Sequence, residues 1–261
     1  MDLMTIIGAV VGLGVVIFIL VVGEMAQFLL NFEAIVLIFG GTLGSVMISY
    51  PWSALRHVPN AVKMMILPPR RPDANLLVAT FVRLAELTRR SGSDALAAEL
   101  RALPHPFMQD CVQMILDGLD EETIDDRCQR DIIATRHRHM QVSGIFRSAG
   151  TYAPIFGLLG TLIGVVQVLR NITNPAMMGT SMAVAMTASF YGIFAANFFF
   201  LPVASKLNFY SDEEVLSREL IAKGTLCLVH GEVPWLLAKK LEAYLSFQLR
   251  NSGAKGYRVP V

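Results

Sequence analysis

The chain has 261 residues, 54% of them hydrophobic and only 16% charged, with a formal net charge of +1. Soluble domains average about 25% charged, so the composition excludes an ordinary soluble domain and puts much of the chain in a membrane. The net charge itself says little and points to no nucleic-acid partner; the placement of the charges says far more.

Leu3 to Val22 is uncharged and almost wholly apolar. It predicts a first span, because crossing a bilayer as a helix takes roughly 20 apolar residues. Asp2 stands where a signal peptide would carry a basic residue, and the apolar run is too long for one. Gly8 and Gly12 form a GxxxG pair, which lets another helix approach closely. The connection from Gly23 to Glu33 holds Glu24 and Glu33 but no Lys or Arg. Ala34 to Tyr50 is the second predicted span, with Gly40 and Gly44 as another GxxxG pair and Pro51 at its end.

From Trp52 to Phe146 the composition changes. This stretch holds twelve Lys and Arg and four of the five His. Asn75 to Arg90 places Leu76, Leu77, Phe81, Leu84 and Leu87 near helical spacing, and Ser91-Gly92 breaks the pattern. Ser93 caps a short predicted helix to Arg101, and Pro104-His105-Pro106 breaks again. Phe107 to Leu119 predicts a helix with Met108, Cys111, Val112, Ile115 and Leu116 on one side. Glu121 to Arg147 contains no proline and is expected to run straight into a third span. Cys111, Cys128 and Cys227 form no C-x-x-C pair, and free thiols are expected. His137 and His139, two apart on a helix, point to opposite sides and read as a solvated basic flank.

The third span opens at Gly150. It is uncharged until Arg170, yet it holds Pro154, Gly157, Gly160, Thr161 and Gly164. A proline at membrane depth leaves a carbonyl that neighbours must satisfy. Gly160 and Gly164 leave room for a partner helix. Met177 to Val203 is the fourth predicted span, and Lys206 marks its exit. Ser211-Asp212-Glu213-Glu214 reads as a capping box starting a tail helix, and Pro234 sits at the first turn of a last helix through Leu249. Asn251 to Val261 reads as a frayed end. Bases cluster after span two, before span three and after span four. By the positive-inside rule, the middle region, the tail and both termini are therefore expected on the cytoplasmic side.

The fold class is thus an all-α integral membrane protein, with a helical cytoplasmic domain inserted between spans two and three. The expected segments are 1–50 (two spans), 51–146 (helical insert), 147–205 (two spans) and 206–261 (helical tail). No Asp, Glu, Lys, Arg or His lies in any of the four spans. Proton paths through membranes normally use an ionisable side chain, so an ion-conducting role requires a partner to supply the carboxylate. No Walker A, HExxH or GxSxG run occurs, so no enzyme, cofactor or metal site is expected.

The order of several motifs resembles the MotA/PomA family of flagellar stator A subunits. The matching segments are Ile38-Phe39-Gly40-Gly41-Thr42, Phe107-Met108-Gln109 with Asp117-Gly118, and Ala153-Pro154 followed by Gly157 to Gly164. Met182 to Ala185, Tyr191-Gly192, Pro202, Lys206-Leu207, and Gly231 with Pro234 complete the set. The resemblance runs over essentially the whole chain. It implies a homopentamer in the bacterial inner membrane around two MotB/PomB-type B subunits. Those subunits supply the ion-binding Asp, and H+ or Na+ flow drives torque on the rotor protein FliG.

It also implies that Pro154 and Pro202 couple ion binding to movement, and that Thr161 and Ser189 face the ion path. Gly157, Gly160 and Gly164 would pack helices, and Arg89 or Arg90 would touch the rotor. Counting forward from Arg89, the family's acidic rotor contact falls on Ala97; counting back from Phe107, it falls on Glu99. The position before span two that is Asp in sodium-driven members is Asn31 here, whereas Thr161 is of the kind those members keep, so the ion stays open. A TolQ/ExbB-type energy transducer, typically three-spanned, and a non-conducting membrane scaffold are the alternatives.

Overall fold

The computed structural model describes residues 3–23, 31–66 and 73–245. Every regular element among these residues is helical. Helix α1 spans Leu3–Val22. Helix α2 spans Phe32–Ser49 and begins at Asn31, whose side chain accepts a hydrogen bond from the Ala34 amide at 3.1 Å. That cap satisfies one of the donors a helix start leaves open. Within α2, Val36–Gly40 widens into a π-helical stretch. Tyr50, the residue before Pro51, is extended, as the proline ring requires of its predecessor.

After α3 (Val58–Ile66) comes α4 (Ala74–Ser91). Asp73 caps its start, accepting from the Asn75 amide at 3.2 Å, and Gly92 at φ +80° stops it. The short helix predicted from Ser93 is one α-helical turn, α5 (Leu96–Glu99), flanked by 3-10 turns. Helix α6 spans Pro106–Leu116 and ends in a turn whose Gly118 has φ +74°, a conformation that suits glycine.

The helix from Glu121 continues through the third span as one element, α7 (Glu121–Arg170). Asp120 caps it, accepting from both the amide and the hydroxyl of Thr123. Those bonds hold the Asp120 carboxyl below its usual range.

The expected helix start at Ser211 is not there. Helix α8 runs from Pro175 to Val229, through a π-helical stretch at Ala196–Phe200. Ser211 lies inside it and is buried. No Gly or Pro separates Lys206 from Ser211, and Glu214 pairs with Arg218 one turn on at 2.9 Å, so nothing interrupts the helix. Helix α9 (Pro234–Leu241) gives way to a 3-10 turn at Glu242–Tyr244; the predicted end at Leu249 lies outside the described residues. Glu24 and the tail expected to fray lie outside the described residues. α1, α2, α7 and α8 are long and apolar enough to cross a membrane.

The chain forms two compact units, one from residues 1–69 and 139–209, the other from 70–138 and 210–261. They divide the chain at different places from the composition boundaries, and the tail joins the insert in one unit. The reason is a shared core. Leu77, Phe81 and Leu84 of α4 pack with Met108 and Val112 of α6, Ile124 of α7, Leu220 and Ile221 of α8, and Leu237 and Leu241 of α9. Leu76, expected on the same face of α4, is half exposed, because the buried stripe follows 77, 81 and 84. Phe81 rests on bare α8 backbone: a methyl group at Gly224 would lie 2.7 Å from its ring. The first unit is built differently. Its central cluster is mostly alanine, with Ala34, Ile38, Ala153, Ala188, Ala195 and Ala196 buried.

Candidate functional site

Small side chains let α2, α7 and α8 approach closely in the first unit. A methyl group at Gly160 would lie 2.4 Å from the Ala188 methyl, and one at Gly164 would lie 2.4 Å from that of Ala185. At Gly157 it would come within 3.2 Å of the Ala188 carbonyl and 3.3 Å of the Ser189 Cα. The helix that fills the room left by Gly160 and Gly164 within the chain is therefore α8.

Two further glycines matter. A methyl group on Gly192 of α8 would sit 2.6 Å from the Ala153 carbonyl oxygen, and one on Gly41 of α2 would sit 2.4 Å from the Phe156 ring. Gly8, Gly40 and Gly44, the other GxxxG candidates, have open space around them, while Gly12 faces Phe198. Gly192 was legible in principle. Ala185, Ala188 and Gly192 repeat small residues every three or four positions, complementing Gly157, Gly160 and Gly164.

Pro154 sits half-buried beside the fully buried Ala153, next to this crossing. Its ring removes the amide that would otherwise bond the Gly150 carbonyl. Just before Pro154 in the chain, two hydrogen bonds tie the end of α2 and the residue after it to α7: Ser49 Oγ to the Tyr152 phenol and the Tyr50 phenol to Ser148 Oγ, both 2.9 Å. Pro202 is exposed and follows the π-helical stretch Ala196–Phe200. A proline clashes with the carbonyl four residues back, here Phe198, and the wide turn falls where that clash must be relieved.

The hydroxyls of this region are partly occupied. Thr161 is half-buried and donates to the Leu158 carbonyl at 2.6 Å; Thr187 donates to Ala183 at 2.7 Å. Each oxygen keeps lone pairs that can accept. Ser189 is half-buried, close to Gly157. Thr42 of α2 went unremarked as a functional residue in the sequence. Its hydroxyl is buried and has no hydrogen-bond partner among the described residues. At one end of these helices a recess of about 700 Å³ is lined by Asn31, Glu33, Gln167, Arg170, Thr180 and Ser181.

In the second unit, Arg89 and Arg90 are exposed in the last turn of α4. Glu99 is not their partner. It pairs with Arg83, Nη2 to Oε2 at 2.9 Å, and Ala97 is exposed.

These features define a polytopic helical membrane protein whose spans pack through glycine and alanine and hold no charge of their own. A family described as the MotA/TolQ/ExbB proton channel family matches residues 99–220. Chemotaxis protein PomA of Vibrio alginolyticus is 32% identical over 247 residues, covering 94% of this chain and 96% of that protein. Motility protein A of Bacillus subtilis (strain 168) is 32% identical over 217 residues, covering 83% and 80%. The flagellar MotAB stator complex from Bacillus subtilis contains a chain of the same fold, with a TM-score of 0.85 and 31% identity over 97% of this chain and 99% of that one. The C. jejuni MotAB structure matches in fold, with a TM-score of 0.84 at 22% identity over 95% of this chain and 97% of that one. The chain belongs to the MotA/PomA group of the MotA/TolQ/ExbB proton channel family, the ion-driven stator subunits of the flagellar motor.

Proposed function

We propose that five copies of the chain surround two single-span B subunits whose Asp accepts H+ or Na+, and that ion flow turns the ring against the rotor protein FliG. The observation that carries this reading is a channel-family membrane chain with no Asp, Glu, Lys, Arg or His in any of the four predicted spans. Such a chain needs its carboxylate from elsewhere, and the relatives named MotAB are complexes with a second protein. Basic residues flanking the spans support an inner-membrane orientation with both termini and the charged insert in the cytoplasm. One charge moving across about 100 mV releases roughly 2.3 kcal/mol, enough to drive a rearrangement between closely packed helices.

In this reading Thr161 and Ser189 present hydroxyl acceptors toward the ion path. Pro154 and Pro202 interrupt the backbone ladders of α7 and α8, so movement at the ion path is felt further along those helices. Arg89, Arg90 and Glu99 meet charges on the rotor. Co-expression with a single-span B subunit tests the assembly. The two proteins are expected to co-purify and to conduct ions. An Asp→Asn change in the B-subunit span is expected to abolish conduction while leaving co-purification intact. Absence of both conduction and co-purification would favour a scaffold.

A further inference from the structure

Cys111 of α6 and Cys128 of α7 are both buried, with their sulfurs 3.3 Å apart. The two residues are seventeen positions apart and are joined by the turn at Gly118. A disulfide needs about 2.05 Å between sulfurs, so bond formation requires roughly an ångström of movement. Cys128 also lines a cavity of about 480 Å³, whose other walls include Asp110, Asp117, Asp131 and Arg127. Cys111 does not line it. Neither thiol enters the mechanism proposed above.

We infer that Cys111 and Cys128 form a peroxide-sensitive dithiol that closes into a disulfide linking α6 to the start of α7. The choice of oxidant follows from the cavity. With Asp131 paired to Arg218, the Asp110 and Asp117 carboxylates still outnumber the Arg127 guanidinium and discourage an anionic disulfide such as oxidised glutathione, whereas hydrogen peroxide is neutral and small.

Cys128 attacks first. Its sulfur bonds one peroxide oxygen, the O–O bond breaks, and the departing hydroxide leaves as water with the thiol proton. Cys128 is then a sulfenic acid. The Cys111 sulfur attacks that sulfur, and its proton leaves with the hydroxyl as a second water. One peroxide has taken two electrons from two thiols, giving one disulfide and two waters.

The acidities agree with this order. The hydrogen bond between the two thiols, together with burial, pushes Cys111 up, while the same bond lowers Cys128 against burial and the Asp125 and Asp131 charges, which favours Cys128 as the nucleophile. Cys227 is a built-in reference: burial, then the neighbouring Glu232 carboxylate, pushes its thiol up to about 11.

The test exposes the purified full-length chain to hydrogen peroxide, alkylates the remaining thiols and maps peptides by mass spectrometry. The expected result is a Cys111–Cys128 cross-link within one chain, two hydrogens lighter and reversed by dithiothreitol, with Cys227 still alkylated. The cross-linked protein is expected to melt several degrees higher, because closing a loop restricts the unfolded chain. Cys111→Ser removes the resolving thiol, so Cys128 should proceed to sulfinic acid. Oxidised glutathione serves as the second oxidant and should leave both thiols free. Survival of both thiols under peroxide, over-oxidation of Cys128 in the unmutated chain without a cross-link, or a glutathione adduct on Cys128 would each overturn the inference. The peptide map of the unmutated chain decides it even if the variant does not fold.

Discussion

Gly192 of α8 lies so close to Ala153 of α7 that a methyl group on it would sit 2.6 Å from the Ala153 carbonyl oxygen. The obstacle is backbone, which cannot rotate away as a side chain can. Gly192→Ala is therefore expected to destabilise the membrane unit by about 1–3 kcal/mol, the usual cost of overpacking. Gly179, in the same helix but with open space around it, is the control. Gly179→Ala is expected to be neutral or to stabilise by up to about 1 kcal/mol. Unfolding of both variants in detergent distinguishes a steric crossing from a general intolerance of change.

The buried Thr42 hydroxyl has no partner among the described residues, and an unpaired buried hydroxyl costs about 1–3 kcal/mol. Thr42→Val keeps the shape and removes that cost, so the isolated chain is expected to gain about 1 kcal/mol. A loss of stability would show that the hydroxyl bonds something after all.

The Arg83–Glu99 pair is more exposed on its arginine side, 58% against 31% for the glutamate. Such pairs contribute about 0.2–1 kcal/mol and weaken with salt. A double-mutant cycle with Arg83→Ala and Glu99→Ala is expected to give a coupling in that range. If Glu99 meets the rotor, Arg83→Ala alters swimming speed more than it alters stability, because it changes the charge Glu99 presents. A coupling near zero would remove Arg83 as the group that orients Glu99.

The hydrogen bond from Lys240 holds the Glu232 carboxyl below its usual range. A depressed carboxyl adds stability above its unfolded pKa and loses it as pH falls through the folded value. The thermal midpoint of the unmutated chain should exceed that of Glu232→Gln at about pH 7, and the gap should close toward about pH 3. A gap that widens on acidification would contradict the assigned direction.

Much of the fold was legible because membrane spans announce themselves. The run from Leu3 to Val22 became α1, and the uninterrupted stretch from Glu121 became α7. The start expected at Ser211 failed because a capping sequence is also compatible with the middle of a helix when no breaker precedes it. At the candidate site, Gly157, Gly160 and Gly164 were readable as packing residues, but not which helix they face, since a GxxxG pattern does not name its partner. The Arg83–Glu99 pairing and the two tyrosine–serine hydrogen bonds depend on residues far apart in sequence, for which one chain gives no local signal.

The most direct measurement is rotation of tethered cells whose only stator A subunit is this chain, expressed with its B subunit. Rotation is expected, with speed rising with the ion-motive force. Pro154→Ala and Pro202→Ala are each expected to stop it while the protein still assembles in the membrane. Cells that rotate normally with both changes would refute the roles given to the prolines, and cells that never rotate although the complex assembles would contradict the stator function itself.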